Sequence, residues 1–223
     1  MSLFVTGTDT GVGKTHVTRL ILGLLRSAGV DAVGYKPVAC GDREDAILLA
    51  EASGGLDLEL VNPVHLQSPV APQVAALLEN RRLDPQSLID GYHRLAASHD
   101  VVIVEGAGGW EVPVNDGFRI SDLAFALRLP VLLVVANRLG ALNHAILTVE
   151  AIRNKGLECI GMVLNQLGDE LDTAMITNKG VIAELTGVPL VDHLIHGQDT
   201  LDPDLPTHLG LKIPDIHAIG GNV

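Results

Sequence analysis

Apolar residues along this chain fall into two kinds of run that alternate from one end to the other. Short unbroken runs read as strands: Leu3-Phe4-Val5, then 31–35, Val101-Val102-Ile103-Val104, 130–136, 160–164 and 187–191. A run that is apolar throughout, rather than at every second position, belongs to a strand buried on both faces. Between the runs, apolar residues recur at three- and four-residue spacing. Val17, Leu20, Ile21, Leu24 and Leu25 share one face of a helix, and so do Leu88, Ile89, Tyr92, Leu95 and Ala96. Ile146, Val149, Ala151 and Ile152 mark a helix over 143–154, and shorter helices are predicted over 46–52, 72–80, 121–127 and 171–185. Residues 38–45 and 113–116 read as loops. Residues 53–71, with Asn62-Pro63 and Ser68-Pro69 as turn signals, read as irregular, and the tail from Asp192 has no clear period.

Strands alternating with helices predict the α/β class: a doubly wound, mostly parallel sheet with right-handed crossovers and helices on both faces. With 223 residues, no internal repeat and no linker, the expectation is a single domain spanning 1–223. Ligands of such sheets bind at the carboxyl ends of the strands, so residues just after each strand carry the functional question.

The first such stretch is Val5-Thr6-Gly7-Thr8-Asp9-Thr10-Gly11-Val12-Gly13-Lys14-Thr15. Small residues between a strand and a helix let backbone N–H groups turn inward around phosphate oxygens. The helix N-terminus adds partial positive charge, Lys14 a full one, and the Thr15 hydroxyl a ligand for Mg²⁺. Five residues separate Gly7 from Gly13 where the common pattern has four, and Thr8 stands where its first glycine would fall. Gly13-Lys14-Thr15 opening a helix directly after a strand favours a phosphate loop over an ordinary turn. The strand over 31–35 ends at Lys36-Pro37; Pro37 cannot continue a central ladder, which puts Lys36 at the ligand edge. The strand at 101–104 ends in Glu105, followed by Gly106-Ala107-Gly108-Gly109-Trp110. An acid ending a buried strand beside a phosphate loop holds Mg²⁺ directly or through water, and the glycines permit close approach of backbone to ligand. Asp45, near a helix start, either complements the helix dipole or faces a metal ion. Leu139-Gly140 and Asn165 also follow strands. Trp110 and Cys159 read as packing residues.

Charge and composition narrow the classes. The net charge of −12 disfavours nonspecific nucleic-acid binding, and it makes Lys14 and Lys36, among few lysines, more telling. No apolar run approaches membrane-spanning length, and the chain enters its first strand by residue 3, which leaves no room for a signal peptide. Two cysteines without metal-ligand spacing suit a reducing compartment, so a cytoplasmic protein is expected. His193, His196, His208 and His217 share no spacing and read as solvated or packing residues.

Five segments together resemble the dethiobiotin synthetases. They are the loop Gly7 to Thr15 with its extra residue; Gly34-Tyr35-Lys36-Pro37-Val38; Val104-Glu105-Gly106-Ala107-Gly108-Gly109-Trp110; Leu139-Gly140 with Leu142-Asn143-His144-Ala145, Leu147 and Thr148; and Asn165 after a strand. They follow the family order over most of the chain to about residue 166. The resemblance implies a P-loop NTPase fold. It also implies that 7,8-diaminopelargonate, CO₂ and ATP give dethiobiotin, ADP and phosphate, through a carbamate and a carbamic–phosphoric anhydride. It assigns Lys36 and Lys14 to catalysis and the backbone of Gly11, Val12, Gly13, Lys14, Thr15 and His16 to the phosphates. Thr15, Asp45 and Glu105 would hold Mg²⁺, Gly106, Ala107 and Gly108 would lie against the nucleotide, and Asn165 and Gln166 would bind the adenine edge. Thr10, Lys36, Cys40 and Gly108 would meet the substrate. Leu139, Gly140, Leu142 and Asn143 would receive its carboxylate tail from the neighbouring subunit, which implies a homodimer; Asn143 would also suit a helix N-cap.

Three departures stand out. Cys40 replaces the family's usual Ser or Thr, Asp45 follows Lys36 more closely than in members with a longer insert, and Asp192-His193-Leu194-Ile195 replaces a Gly-x-Ile-Pro pattern. The competing class is a switch ATPase of the same sheet type. Such proteins usually carry a second lysine in the phosphate loop near position 9 or 10, where this chain has Asp9 and Thr10.

Overall fold

The computed structural model describes residues 2–211. From the N-terminus it runs β1 (Leu3–Gly7), α1 (Lys14–Ser27), β2 (Ala32–Tyr35), β3 (Val38–Cys40), α2 (Glu44–Ala52), α3 (Leu58–Val61), β4 (Val64–Leu66), α4 (Pro72–Leu78) and α5 (Pro85–Ala96). It continues through β5 (Val101–Glu105), β6 (Pro113–Asn115), β7 (Phe118–Arg119), α6 (Ile120–Leu127), β8 (Val131–Ala136), α7 (Ala141–Asn154), β9 (Cys159–Asn165), α8 (Thr173–Thr186), β10 (Leu190–Leu194) and α9 (Leu205–His208). Six strands form one sheet in the order β10-β9-β8-β1-β5-β2, every pair parallel. The chain winds outward from β1 to β2, returns to β5, then crosses β1 to β8 and winds outward the other way. The winding therefore reverses around β1, which opens a crevice at the carboxyl ends of β1 and its neighbours.

The uniform apolar runs are explained by two cores, one on each sheet face. Leu3, Val5, Ile103, Leu132, Val134 and Val163 enter the core beneath α1 and α2. Phe4, Val102, Val104, Leu133, Val135 and Leu164 enter the opposite core, shared with α5, α6 and α7. Because side chains alternate across a strand and both sides are dry, apolar residues follow one another on both faces, and polar ones enter only towards the carboxyl ends, as Thr6, Glu105 and Asn165 do. Close packing leaves no slack at certain glycines. A Cβ on Gly91 of α5 would come within 2.2 Å of the Tyr35 hydroxyl, which is fully buried and donates to the Leu88 carbonyl at 2.8 Å.

Several expected boundaries shift for local reasons. The stretch read as loop and irregular chain holds β3 and β4, three residues each, which pair in parallel away from the main sheet; strands this short carry no readable period. The loop at 113–116 contributes β6 to a small antiparallel pair with β7. Helix α7 starts at Ala141, with Gly140 as its N-cap in the left-handed region at φ 93°, so Asn143 lies inside the first turn and does not cap it. The last strand runs over Leu190–Leu194, not 187–191: Gly187 caps α8, and polar Asp192 and His193 are admitted because β10 is a half-exposed edge strand. His217 lies outside the described residues.

Candidate active site

Register sets out the site. Val5 pairs with Glu105, Tyr35 with Val104, Gly7 with Val134 and Ala136 with Asn165, so the residues following these strands emerge along one edge. Gly13 takes φ 90°, and a Cβ there would stand 2.1 Å from the Asn165 side-chain nitrogen; only glycine fits on both counts. No side chain caps α1 and its first turn carries no acid, so its N–H groups face the loop unpaired by side chains and ready for an anion.

Two lysines converge here, one opening α1 and the other just past β2. The buried Lys14 ammonium donates to the Asp9 carbonyl at 3.0 Å. Burial and then the neighbouring Lys36 lower its pKa to about 8, against the opposing pull of Glu105, Asp45 and Asp9. Lys36 sits just past β2, where its N–H donates to the Val61 carbonyl at 2.8 Å and its carbonyl accepts from Asn62 Nδ2 at 2.7 Å. The Lys36 ammonium lies 2.5 Å from Glu105 Oε1 and 2.9 Å from Asp45 Oδ2. Burial alone would lower its pKa; the two carboxylates outweigh burial and hold it above the usual lysine value. Asp45 resists burial likewise and is held below the usual carboxylate range by Lys36.

Glu105 is fully buried. Its Oε1 also accepts from the Thr15 hydroxyl at 2.7 Å, while its Oε2 has no hydrogen-bond partner. Thr15, Asp45 and Glu105 thus form a set of one hydroxyl and two carboxylates with an unsatisfied buried oxygen. Magnesium is characteristically held by one or two carboxylates together with nucleotide phosphates, so these residues fit it. Among the described residues no three His, Cys, Asp or Glu side chains gather as a ligand cluster of their own.

A cavity of about 380 Å³ opens over this floor. Of the predicted residues, Thr10, Gly11, Gly13, Lys14, Thr15, His16, Lys36, Asp45 and Gly108 line it, joined by Arg19 and Leu48. Val12, Gly106 and Ala107 are buried behind it. Asn165 donates through Nδ2 to the Val12 carbonyl at 2.9 Å, so it touches the loop from outside the cavity wall, and Gln166 turns to the Gly168 carbonyl. Cys40 stands away from the wall on β3, half-buried; burial and then Glu79 push its thiol up to about 11. Leu139, Gly140 and Asn143 are exposed and Leu142 half-buried, outside the cavity of their own chain.

Three buried amides carried no sequence signal of this kind. Asn62 fixes the Lys36 backbone; the sequence marked it only as a turn before Pro63. Asn137 and Asn178 bond each other at 2.9 Å, and Asn178 also holds the Arg138 carbonyl, which sets the loop before α7. Arg138 in turn reaches Asp9 of the phosphate loop at 3.5 Å.

A family model described as an AAA domain matches residues 1–198. Among relatives, the ATP-dependent dethiobiotin synthetase BioD of Akkermansia muciniphila is 52% identical over 205 residues, covering 92% of this chain and 96% of that protein. The BioD protein of Anaeromyxobacter sp. strain Fw109-5 is 45% identical over 202 residues, covering 88% of this chain and 91% of its own. Solved structures share the fold at low identity. A ParA family ATPase from Chlorobium tepidum has a TM-score of 0.55 at 15% identity, covering 99% of this chain and 93% of that one. MinD of Pyrococcus horikoshii, solved with Mg-ADP, has 0.57 at 16%, covering 100% and 90%. With the phosphate loop, the paired lysines and the acid after β5 in family order, and relatives of this identity matching nearly end to end, the chain belongs to the ATP-dependent dethiobiotin synthetase family.

Proposed function

We propose that this chain closes the ureido ring of dethiobiotin from 7,8-diaminopelargonate and CO₂, with ATP converted to ADP and phosphate. The observation that carries the reading is the convergence of Lys14 and Lys36 with Thr15, Asp45 and Glu105 at one end of the sheet. Two anions that must meet, a carbamate and the γ-phosphate, explain why a phosphate site needs a second lysine. One amine captures CO₂ as a carbamate. A carbamate oxygen then attacks the γ-phosphorus and ADP departs; the second amine attacks the resulting anhydride carbon and phosphate departs.

Phosphoryl transfer asks the protein for positioning and for positive charge where negative charge gathers. The backbone N–H groups from Gly11 to His16 cradle the phosphates and Lys14 neutralises them. Lys36 binds carbamate and γ-phosphate oxygens together, bringing two anions within reach of each other. Thr15, Asp45 and Glu105 would hold Mg²⁺, which would supply positive charge against the phosphates. Asn165, with Nδ2 engaged by Val12, offers Oδ1 to the exocyclic amine of adenine, beside Gln166. Thr10, Gly108 and the β3 segment with Cys40 flank the diamine end.

The substrate's carboxylate tail reaches Leu139, Gly140, Leu142 and Asn143 of a second copy, which makes the working unit a homodimer. Leu139 is 82% exposed and Leu147 58%, an apolar surface that a second copy would cover. Unpaired Cys40 and Cys159 suit the cytoplasm as the place of reaction. No helix among the described residues is long and apolar enough to cross a membrane.

The test is ADP release with and without the diamine and bicarbonate. Release should depend strongly on the diamine; release indifferent to it would point to a switch ATPase and overturn the reading. Lys36→Ala should abolish turnover while sparing nucleotide affinity, measured by calorimetric titration. A loss of affinity as large as that of Lys14→Ala would show that Lys36 serves binding alone.

A further inference from the structure

The carboxylates that would grip the metal already hold a cation. Glu105 is fully buried, and its Oε1 carries both the Lys36 ammonium at 2.5 Å and the Thr15 hydroxyl at 2.7 Å. The same ammonium bonds Asp45 at 2.9 Å. Every residue assigned to Mg²⁺ is therefore gathered around, or next to, one primary ammonium. A carboxylate withdrawn from water needs a positive partner in every state of the site, because an unpaired buried charge is far costlier than a paired one. The anion is fixed, since Glu105 ends a central strand; the cation is the part that can change.

We infer that Lys36 is the resident cation of the metal position. In the nucleotide-free protein it neutralises Glu105 and Asp45; when the nucleotide brings the metal in, the ion takes over those oxygens and the ammonium is released towards the phosphates. The inference rests on the reading of Thr15, Asp45 and Glu105 as metal-holding residues and adds an order of events to it. The backbone of Lys36 is pinned by Val61 and Asn62, so the exchange is a swing of the side chain alone. Its destination is open: Lys36 and Lys14 both line the cavity of about 380 Å³ above the carboxylates. Lys36 is thus a specificity-determining residue at the metal position. It closes the position to a bare ion, and it becomes available to bind the reacting anions only once the metal–nucleotide is seated.

The experiment titrates Mn²⁺ alone into nucleotide-free protein and follows the free ion by electron paramagnetic resonance. Lys36→Met keeps the apolar stem and removes the charge, and it should bind Mn²⁺ at least about tenfold more tightly than the unmutated chain. Adding Glu105→Gln to Lys36→Met should remove that gain. Equal Mn²⁺ affinity in Lys36→Met and the unmutated chain overturns the inference. Should Lys36→Met not fold, lysine-selective ¹⁵N NMR of the unmutated chain decides. Couplings across the hydrogen bonds from the Lys36 ammonium to the Glu105 and Asp45 carboxylates should be present without ligand. They should persist with a metal-free non-hydrolysable ATP analogue and vanish with its Mg²⁺ complex; persistence in both overturns the inference. Glu105→Gln alone reports on the underlying assignment. Weakened Mn²⁺–nucleotide binding upholds it whatever Lys36 does, and unchanged binding removes assignment and inference together.

Discussion

Lys14 should destabilise the very protein that needs it. Its amine is buried, and its pKa falls from 10.5 to about 8, first through burial and then through the nearby Lys36. At about 1.4 kcal/mol for each tenfold change in proton affinity, holding the charged amine among these neighbours costs about 3 kcal/mol. Lys14→Met removes the charge and keeps the apolar stem. It also forfeits the bond to the Asp9 carbonyl, 3.0 Å long, worth about 1.5 kcal/mol for a charged donor. Nucleotide-free Lys14→Met should therefore be more stable than the unmutated chain by about 1–2 kcal/mol at pH 7, read by urea unfolding. The sign with pH follows from the lowered value. Below about 8 both folded and unfolded chains carry the proton and the full cost is present. Between about 8 and 10.5 the folded chain has shed a proton that the unfolded chain still binds, so the cost drains away as pH rises. The advantage of Lys14→Met should accordingly shrink by pH 9.5. ATP at about a hundredfold excess over the unmutated chain's Kd should reverse the ranking, because that chain gains about 2.7 kcal/mol and the weaker-binding variant much less. An unmutated chain as stable as the variant at pH 7, or a gap that ignores pH, would refute the reasoning.

Other expectations follow from single contacts. Gly91→Ala should destabilise by about 1–2 kcal/mol in spite of alanine's better helix propensity, because the added methyl meets the Tyr35 hydroxyl. Combining it with Tyr35→Phe should recover part of the loss, and simple additivity in urea melts would contradict the clash. Cys40, whose thiol is pushed up to about 11, should react slowly with iodoacetamide at pH 8 and faster as the pH approaches that value. Rapid alkylation at pH 8, located by mass spectrometry, would contradict its surroundings. Asn165→Leu removes the tie to the Val12 carbonyl and should raise the KM for ATP about tenfold or more while leaving the KM for the diamine nearly unchanged. Equal loss for both substrates would mean that it serves the fold as a whole.

What was legible in the sequence is what short stretches of chain determine on their own. The apolar runs, the helical spacing, the phosphate loop and the acid ending a buried strand are local patterns. Each forces one outcome, because a strand dry on both faces must be apolar throughout and a loop around phosphate must be small and N–H rich. That is why Lys14, Thr15, Lys36, Asp45, Glu105 and Gly108 could be named from spacing and family resemblance, and the structure brings them together around one cavity. Nothing local identified β3 and β4, since a three-residue strand exists only through its partner. Nor did anything local mark the buried bonding roles of Asn62, Asn137 and Asn178, whose amides serve backbone groups of other segments. Most of all, the sequence placed Lys36 and Glu105 at the same edge without saying that they touch. Their ion pair, 69 residues apart in the chain, is a product of β2 lying beside β5, and only the assembled sheet decides which charge a buried carboxylate meets.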